Sequence, residues 1–153
     1  MRGVTQISGE FRVLLADDHG LIRQVVGAML ERYPNVSIVG EATNGMDAVS
    51  MAAALKPDGI IMDINMPKLD GIEATKQIKA AQPMISIIGL SVIDDQHVRE
   101  AMKAAGAETV LLKDEIHALH EAIRQWTLRQ ENYYTRSTQI LSSEGVPSNS
   151  GYS

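Results

Sequence analysis

Asp17, Asp18, Asp63, Ser91 and Lys113 each stand where a short apolar run of this chain breaks off. Val13-Leu14-Leu15-Ala16 runs into Asp17-Asp18, Gly59-Ile60-Ile61-Met62 into Asp63, Ile85-Ser86-Ile87-Ile88-Gly89-Leu90 into Ser91, and Val110-Leu111-Leu112 into Lys113. Carboxylates, a hydroxyl and an amine are the residue types that a phosphoryl-transfer site needs, because positioning and charge stabilisation do most of that chemistry. Short, bounded apolar runs alternating with helical patterns read as buried parallel strands. Sheets of that kind bind ligands outside the carboxyl ends of their strands, where the strand order reverses. The five side chains are therefore expected to converge on one end of one sheet.

The elements that must carry them alternate without interruption. Patterning predicts strands over 11–16, 36–40, 59–62, 84–90 and 109–112, and helices over about 20–33, 45–55, 71–81, 95–105 and 115–130. Leu21, Val25, Ala28 and Met29 recur at helical spacing in the first helix, Ala48, Met51, Ala52 and Leu55 in the second, and Ile72, Thr75 and Ile78 in the third. Pro34, Pro57 and Pro83 mark breaks, and Gly106 suits a helix end with positive φ. Such alternation predicts right-handed crossovers and a mainly parallel sheet covered on both faces. From Asn132 onward the polar turn-formers Ser142-Ser143-Glu144-Gly145 and the stretch 147–151 have little to bury. The expected division is a folded domain over 10–131 and a flexible tail over 132–153.

Composition narrows the class. A chain of 153 residues favours one domain, and 44% hydrophobic with 4% aromatic residues implies an aliphatic core filled out by Met. The absence of cysteine excludes disulfides, thiolate zinc sites and cysteine nucleophiles. A formal charge of -5 with no basic stripe argues against direct DNA binding. Residues 1–10 lack the apolar core of a secretory signal, and no run approaches the roughly 18 apolar residues of a membrane span. A cytoplasmic protein without membrane contact is the expectation.

Leu15-Ala16-Asp17-Asp18-His19, Met62-Asp63-Ile64-Asn65-Met66-Pro67 with Asp70-Gly71-Ile72-Glu73-Ala74, Leu90-Ser91, Gly106-Ala107 and Leu111-Leu112-Lys113-Asp114 form a specific set. Through them, over roughly residues 11–127, the chain resembles the receiver domain of two-component response regulators. The Asp-Asp-His opening and Leu-Leu-Lys-Asp ending look most like the NarL-like subfamily. The resemblance implies a flavodoxin-like (βα)5 receiver fold, a doubly wound five-stranded parallel sheet in the order 2-1-3-4-5. A helix-turn-helix DNA-binding domain usually follows in that subfamily. None follows here, so a stand-alone receiver, or one truncated from a transcriptional regulator, is expected.

The same resemblance implies roles. Asp63 is the phosphoacceptor, taking a phosphoryl group from a sensor histidine kinase or phosphotransfer protein. Mg²⁺ (or Mn²⁺) is held by Asp18, Asp63 and the Asn65 backbone carbonyl, with Asp17 acting through water. Lys113 pairs with Asp63 at rest and with a phosphoryl oxygen afterwards. Ser91 is the switch hydroxyl, pulling its loop toward the site and altering a surface for an unknown output partner. Homodimerisation is left open. Two positions depart from the family: Val110 replaces the aromatic usual three residues before the Lys, and Asp114 replaces the usual proline and is read as N-cap of the last helix.

Other features receive plainer readings. His117 and His120 lack a third ligand nearby and are not read as a metal site. His19 is read as a loop residue beside the acids. Trp126 with Ile116, Leu119 and Ile123 forms the buried stripe of the fifth helix, and Gly45 and Gly71 serve turns and close backbone approach. The leading expectation is a phosphorylation-controlled signalling module and not a turnover enzyme. A phosphohydrolase would need a second acid two residues after its nucleophile, where Asn65 stands. A degenerate receiver that binds partners without phosphorylation is the other alternative; only Val110 speaks for it. By the family pattern Asn65 and Ile93 tune water access, and an apolar Ile93 implies a longer-lived adduct.

Overall fold

The computed structural model describes residues 9–144. Five parallel strands, β1 Phe11–Ala16, β2 Val36–Ala42, β3 Gly59–Asp63, β4 Ser86–Ser91 and β5 Thr109–Leu112, lie in the order β2-β1-β3-β4-β5. The helices α1 Gly20–Leu30, α2 Gly45–Leu55, α3 Gly71–Ala81, α4 Gln96–Ala105 and α5 Leu119–Glu144 alternate with them. This is the expected doubly wound flavodoxin-like sheet, with its order reversing beside β1.

Both faces of the sheet are covered because successive strand side chains point opposite ways. Leu14, Ala16, Ile60, Met62 and Ile87 pack with Ala48, Ala52, Ala74, Ile78 and Met102 from α2, α3 and α4. Val13, Leu15, Ile61, Ile88 and Leu90 pack with Val26, Met29 and Leu30 of α1 and Leu119, Ile123 and Trp126 of α5. Each Val, Leu, Ile or Met among them, fully buried, contributes roughly 1.5–3 kcal/mol, and each Ala less. Trp126 stacks on Phe11 with ring centroids 4.9 Å apart and donates its indole N–H to Glu108 at 3.2 Å.

Helix starts are set by short polar side chains. Asn44 accepts from the Asp47 N–H, Asp70 from Glu73, and Asp95 from His97 and Val98. Gly106 ends α4 at φ 124°, as expected from its position. Strand register then aligns the site: Ala16 pairs with Met62, Asp63 with Leu90 and Ser91 with Leu112. Asp17, Asp63, Ser91 and Lys113 thus leave the sheet side by side at its carboxyl edge.

Three expectations need correction. The last helix does not stop at Gln130 but continues to Glu144, so residues 132–144 of the expected tail are helical. No Gly or Pro interrupts 119–144, and polar helix formers such as Arg, Gln and Glu propagate a helix without burying anything; residues 145–153 lie outside the described residues. Asp114 is not the cap of α5, because a 3₁₀ turn, Lys113–Ala118, intervenes and α5 starts at Leu119. On α1 the buried side chains are Val26, Met29 and Leu30, with Ile22 packed against them, while Leu21 is 71% exposed. Two apolar stripes run along this helix, and spacing alone does not choose between them.

Candidate functional site

Lys113 bridges the acids. Its Nζ lies 2.9 Å from Asp17 Oδ2 and 3.3 Å from Asp63 Oδ1, with all three side chains nearly buried. Asp63 Oδ1 also accepts the Asn65 backbone N–H at 3.1 Å. Asp17 Oδ1 accepts the His19 backbone N–H at 2.8 Å, and the His19 ring Nδ1 stands 3.1 Å from both Asp17 Oδ1 and Asp18 Oδ1. Two buried carboxylate oxygens, Asp17 Oδ2 and Asp63 Oδ2, have no hydrogen-bond partner among the described residues. For Asp17 Oδ2 the Lys113 ammonium is close enough to compensate charge but is not aligned as a donor. For Asp63 Oδ2 the His19 ring Nδ1 stands 4.0 Å away.

The backbone beneath the acids is held just as closely. A Cβ on Gly71 would fall 2.2 Å from the Asp63 carbonyl oxygen, and one on Gly45 would fall 1.9 Å from the Leu69 carbonyl oxygen. Both glycines therefore serve close backbone approach, as their positions suggested.

Burial first, then the charge of Asp17, push Asp63 up to about 7, against the opposing pull of Lys113. Two buried carboxylates that share the single Lys113 ammonium are under-compensated in charge. The surrounding donors, Asp17, Asp18, His19 and Asp63, have ligand atoms within 4.8 Å of one another. An oxygen-rich set containing an orphaned buried carboxylate oxygen fits a hard divalent cation such as Mg²⁺.

Ser91 is brought to the same edge and is buried, but its hydroxyl is turned to its own loop. It donates to the Ile93 carbonyl at 2.8 Å and accepts the Ile93 N–H at 3.2 Å. His120 lies away from the acids, its Nδ1 2.9 Å from the Tyr33 hydroxyl. The residue under-read from sequence is His19. Its place in the chain beside the acid pair was visible, but nothing in a sequence tells that the ring turns back over three carboxylates. A cavity of about 740 Å³ lined by Phe11, Pro57, Met84 and Arg129 opens at the other end of the strands, away from these groups.

Residues 13–124 match the family described as response regulator receiver domain, and the chain belongs to it. It is 40% identical over 115 residues to the transcriptional regulatory protein LiaR of Bacillus subtilis, covering 74% of this chain and 54% of that protein. It is 41% identical over 104 residues to protein-glutamate methylesterase/protein-glutamine glutaminase 2 of Methanospirillum hungatei, covering 67% and 30% respectively. The chain thus spans about half or less of these relatives. The response regulator domain of Thermotoga maritima CheB is similar at TM-score 0.71 and 32% identity, over 77% of this chain and 96% of that one. The receiver domain of NarL from Mycobacterium tuberculosis gives 0.72 and 28%, over 78% and 97%. The receiver domain of Saccharomyces cerevisiae Ssk1, solved with the histidine phosphotransfer protein Ypd1, gives 0.72 and 26%, over 80% and 92%.

Proposed function

We propose that this chain is a phosphorylation-controlled signalling receiver in which Asp63 accepts a phosphoryl group from a histidine kinase or phosphotransfer protein. The observation that carries this reading is the buried Asp63 carboxylate, bound on one oxygen by Lys113 and the Asn65 N–H and left without a donor on the other. Asp18, Asp63 and the Asn65 carbonyl would hold a divalent cation, Mg²⁺ or Mn²⁺, with Asp17 reaching it through water. When bound, the ion neutralises the crowded carboxylates and the incoming phosphoryl oxygens. With an ion held on Asp63 Oδ2, the oxygen without a donor, Oδ1 beside Lys113 would be the attacking atom. Its bond to phosphorus forms as the bond from phosphorus to the donor's imidazole nitrogen breaks, and Lys113 follows the charge onto a phosphoryl oxygen.

Ser91 gives the adduct its readout. To donate to a phosphoryl oxygen, its hydroxyl must give up the Ile93 carbonyl, which frees a loop leading directly into Asp95, the N-cap of α4. Val110 is buried among the residues under α4 and is too small to swing as an aromatic would. The displacement therefore passes through loop and helix with no side-chain exchange on β5. Leu21, 71% exposed, lies three residues after the acidic pair, and Val92 and Ile93, 62% and 64% exposed, directly follow Ser91. They offer apolar anchors for a docked phosphodonor protein; the similar Ssk1 receiver domain was crystallised with the histidine phosphotransfer protein Ypd1.

Phosphate release with Mg²⁺ and a small phosphodonor such as acetyl phosphate tests the reading. A single labile adduct per chain is expected. Sustained turnover would mean a phosphohydrolase, and no adduct would mean a partner-binding module that is never phosphorylated.

A further inference from the structure

The His19 imidazole lies among the acids of the pocket and 3.4 Å from the Lys113 ammonium. Its Nδ1 is 3.1 Å from Asp17 Oδ1, 3.1 Å from Asp18 Oδ1 and 4.0 Å from Asp63 Oδ2. The Asp63 side chain is 1% exposed and its Oδ2 has no donor, so a buried oxygen faces a ligand that the described side chains do not supply. The His19 side chain is 60% exposed and borders solvent, so its ring can swing out without disturbing the core.

We propose that His19 decides which divalent cation the acidic pocket prefers, yielding to an oxygen-seeking ion and staying as a nitrogen ligand for a first-row transition ion such as Ni²⁺. The proposal rests on the reading of the pocket as a metal site. Mg²⁺ demands oxygen ligands in a tight octahedron, so the ring must leave and its contacts to Asp17 and Asp18 are lost. His19 then competes with Mg²⁺. Ni²⁺ accepts imidazole readily, and the ring needs only to draw back while its Nδ1 keeps facing the carboxylates. One side chain thus handicaps the first ion and favours the second, with no backbone movement required.

Titration calorimetry of the tag-free protein with Mg²⁺ alone and with Ni²⁺ alone, on the parent, His19→Ala and Asp18→Ala, tests this. His19→Ala is expected to bind Mg²⁺ as well as or better than the parent and Ni²⁺ at least about tenfold more weakly. Asp18→Ala should weaken both ions, and Ni²⁺ should broaden the His19 ring resonances of the parent. Equal changes for both ions in His19→Ala, or none, would overturn the proposal while leaving the metal pocket intact. Ni²⁺ binding untouched by Asp18→Ala would place that ion elsewhere and overturn it too. Failure of the parent to bind either ion would remove the metal-site reading itself, and the role of His19 with it.

Discussion

Burying Asp63 beside Asp17 strains the folded state in a way that depends on pH. With Asp63 lifted from 3.8 to about 7, the folded protein between these values holds a proton that the unfolded chain has released. Its stabilising contribution is whole below the lower value and is lost as pH rises through the upper one. At about pH 8, without divalent cations, Asp63→Asn should therefore stabilise the protein by about 2 kcal/mol, and the gain should vanish toward about pH 4. Urea unfolding across that range measures it; a variant no more stable than the parent at the alkaline end would show an unstrained carboxylate. Lys113→Met works in the opposite direction, costing about 3 kcal/mol because two buried carboxylates lose their shared cation. Asp18→Ala should weaken Mg²⁺ binding more than Asp17→Ala, since Asp17 is already engaged by Lys113 and the His19 N–H. A titration giving the reverse order would exchange their inner and outer roles. The identities of these residues were legible because each ends an apolar run. The His19 contacts and the resting hydroxyl of Ser91 were not, since side-chain direction is set by neighbours brought in from elsewhere in the fold.

Strands declared themselves because burial on both faces leaves a nearly pure apolar run, as in Gly59-Ile60-Ile61-Met62. Helices were less transparent. In α1, Leu21 and Val25 follow the same spacing as Ile22 and Val26, and only docking on the sheet reveals which pair turns inward. In α5, the described side chains beyond Gln130 are exposed, and the few apolar residues there are too sparse to mark a helical stripe before the polar turn-formers from Ser142, so that segment reads as tail although the backbone is helical. A chain ending at Glu131 should keep its cooperative unfolding midpoint and lose only helical ellipticity, measured by circular dichroism. A large fall in the midpoint would mean that the distal helix supports the core. Gly71→Ala should be worse than its size suggests. The new methyl meets backbone at Asp63 and Ile64, with no flexible side chain to yield, so about 1–3 kcal/mol is lost and the acid site shifts with it. Thermal unfolding together with Mg²⁺ titration of that variant checks both consequences.

Across the molecule, the proposed function would join site and output through the loop after β4. The Ser91 hydroxyl caps the Ile93 backbone in this structure and, on the proposed function, would turn to the phosphoryl group; α4 begins where that loop ends. With Val110 in place of an aromatic, the shift should appear in residues 92–105 without a side-chain exchange on β5, and should be smaller than in an aromatic-bearing receiver. Backbone chemical shifts with and without beryllofluoride and Mg²⁺ read this directly. Changes confined to the acidic residues, with 92–105 silent, would uncouple the α4 face from the site. All of this presupposes that Asp63 itself carries the phosphoryl group. Treating the protein with acetyl phosphate and Mg²⁺, reducing the adduct with borohydride and mapping the peptides by mass tests that claim most directly. The reduced residue should fall at Asp63 alone and be absent from Asp63→Asn; a reduced residue at another position, or equal labelling of the variant, would contradict it.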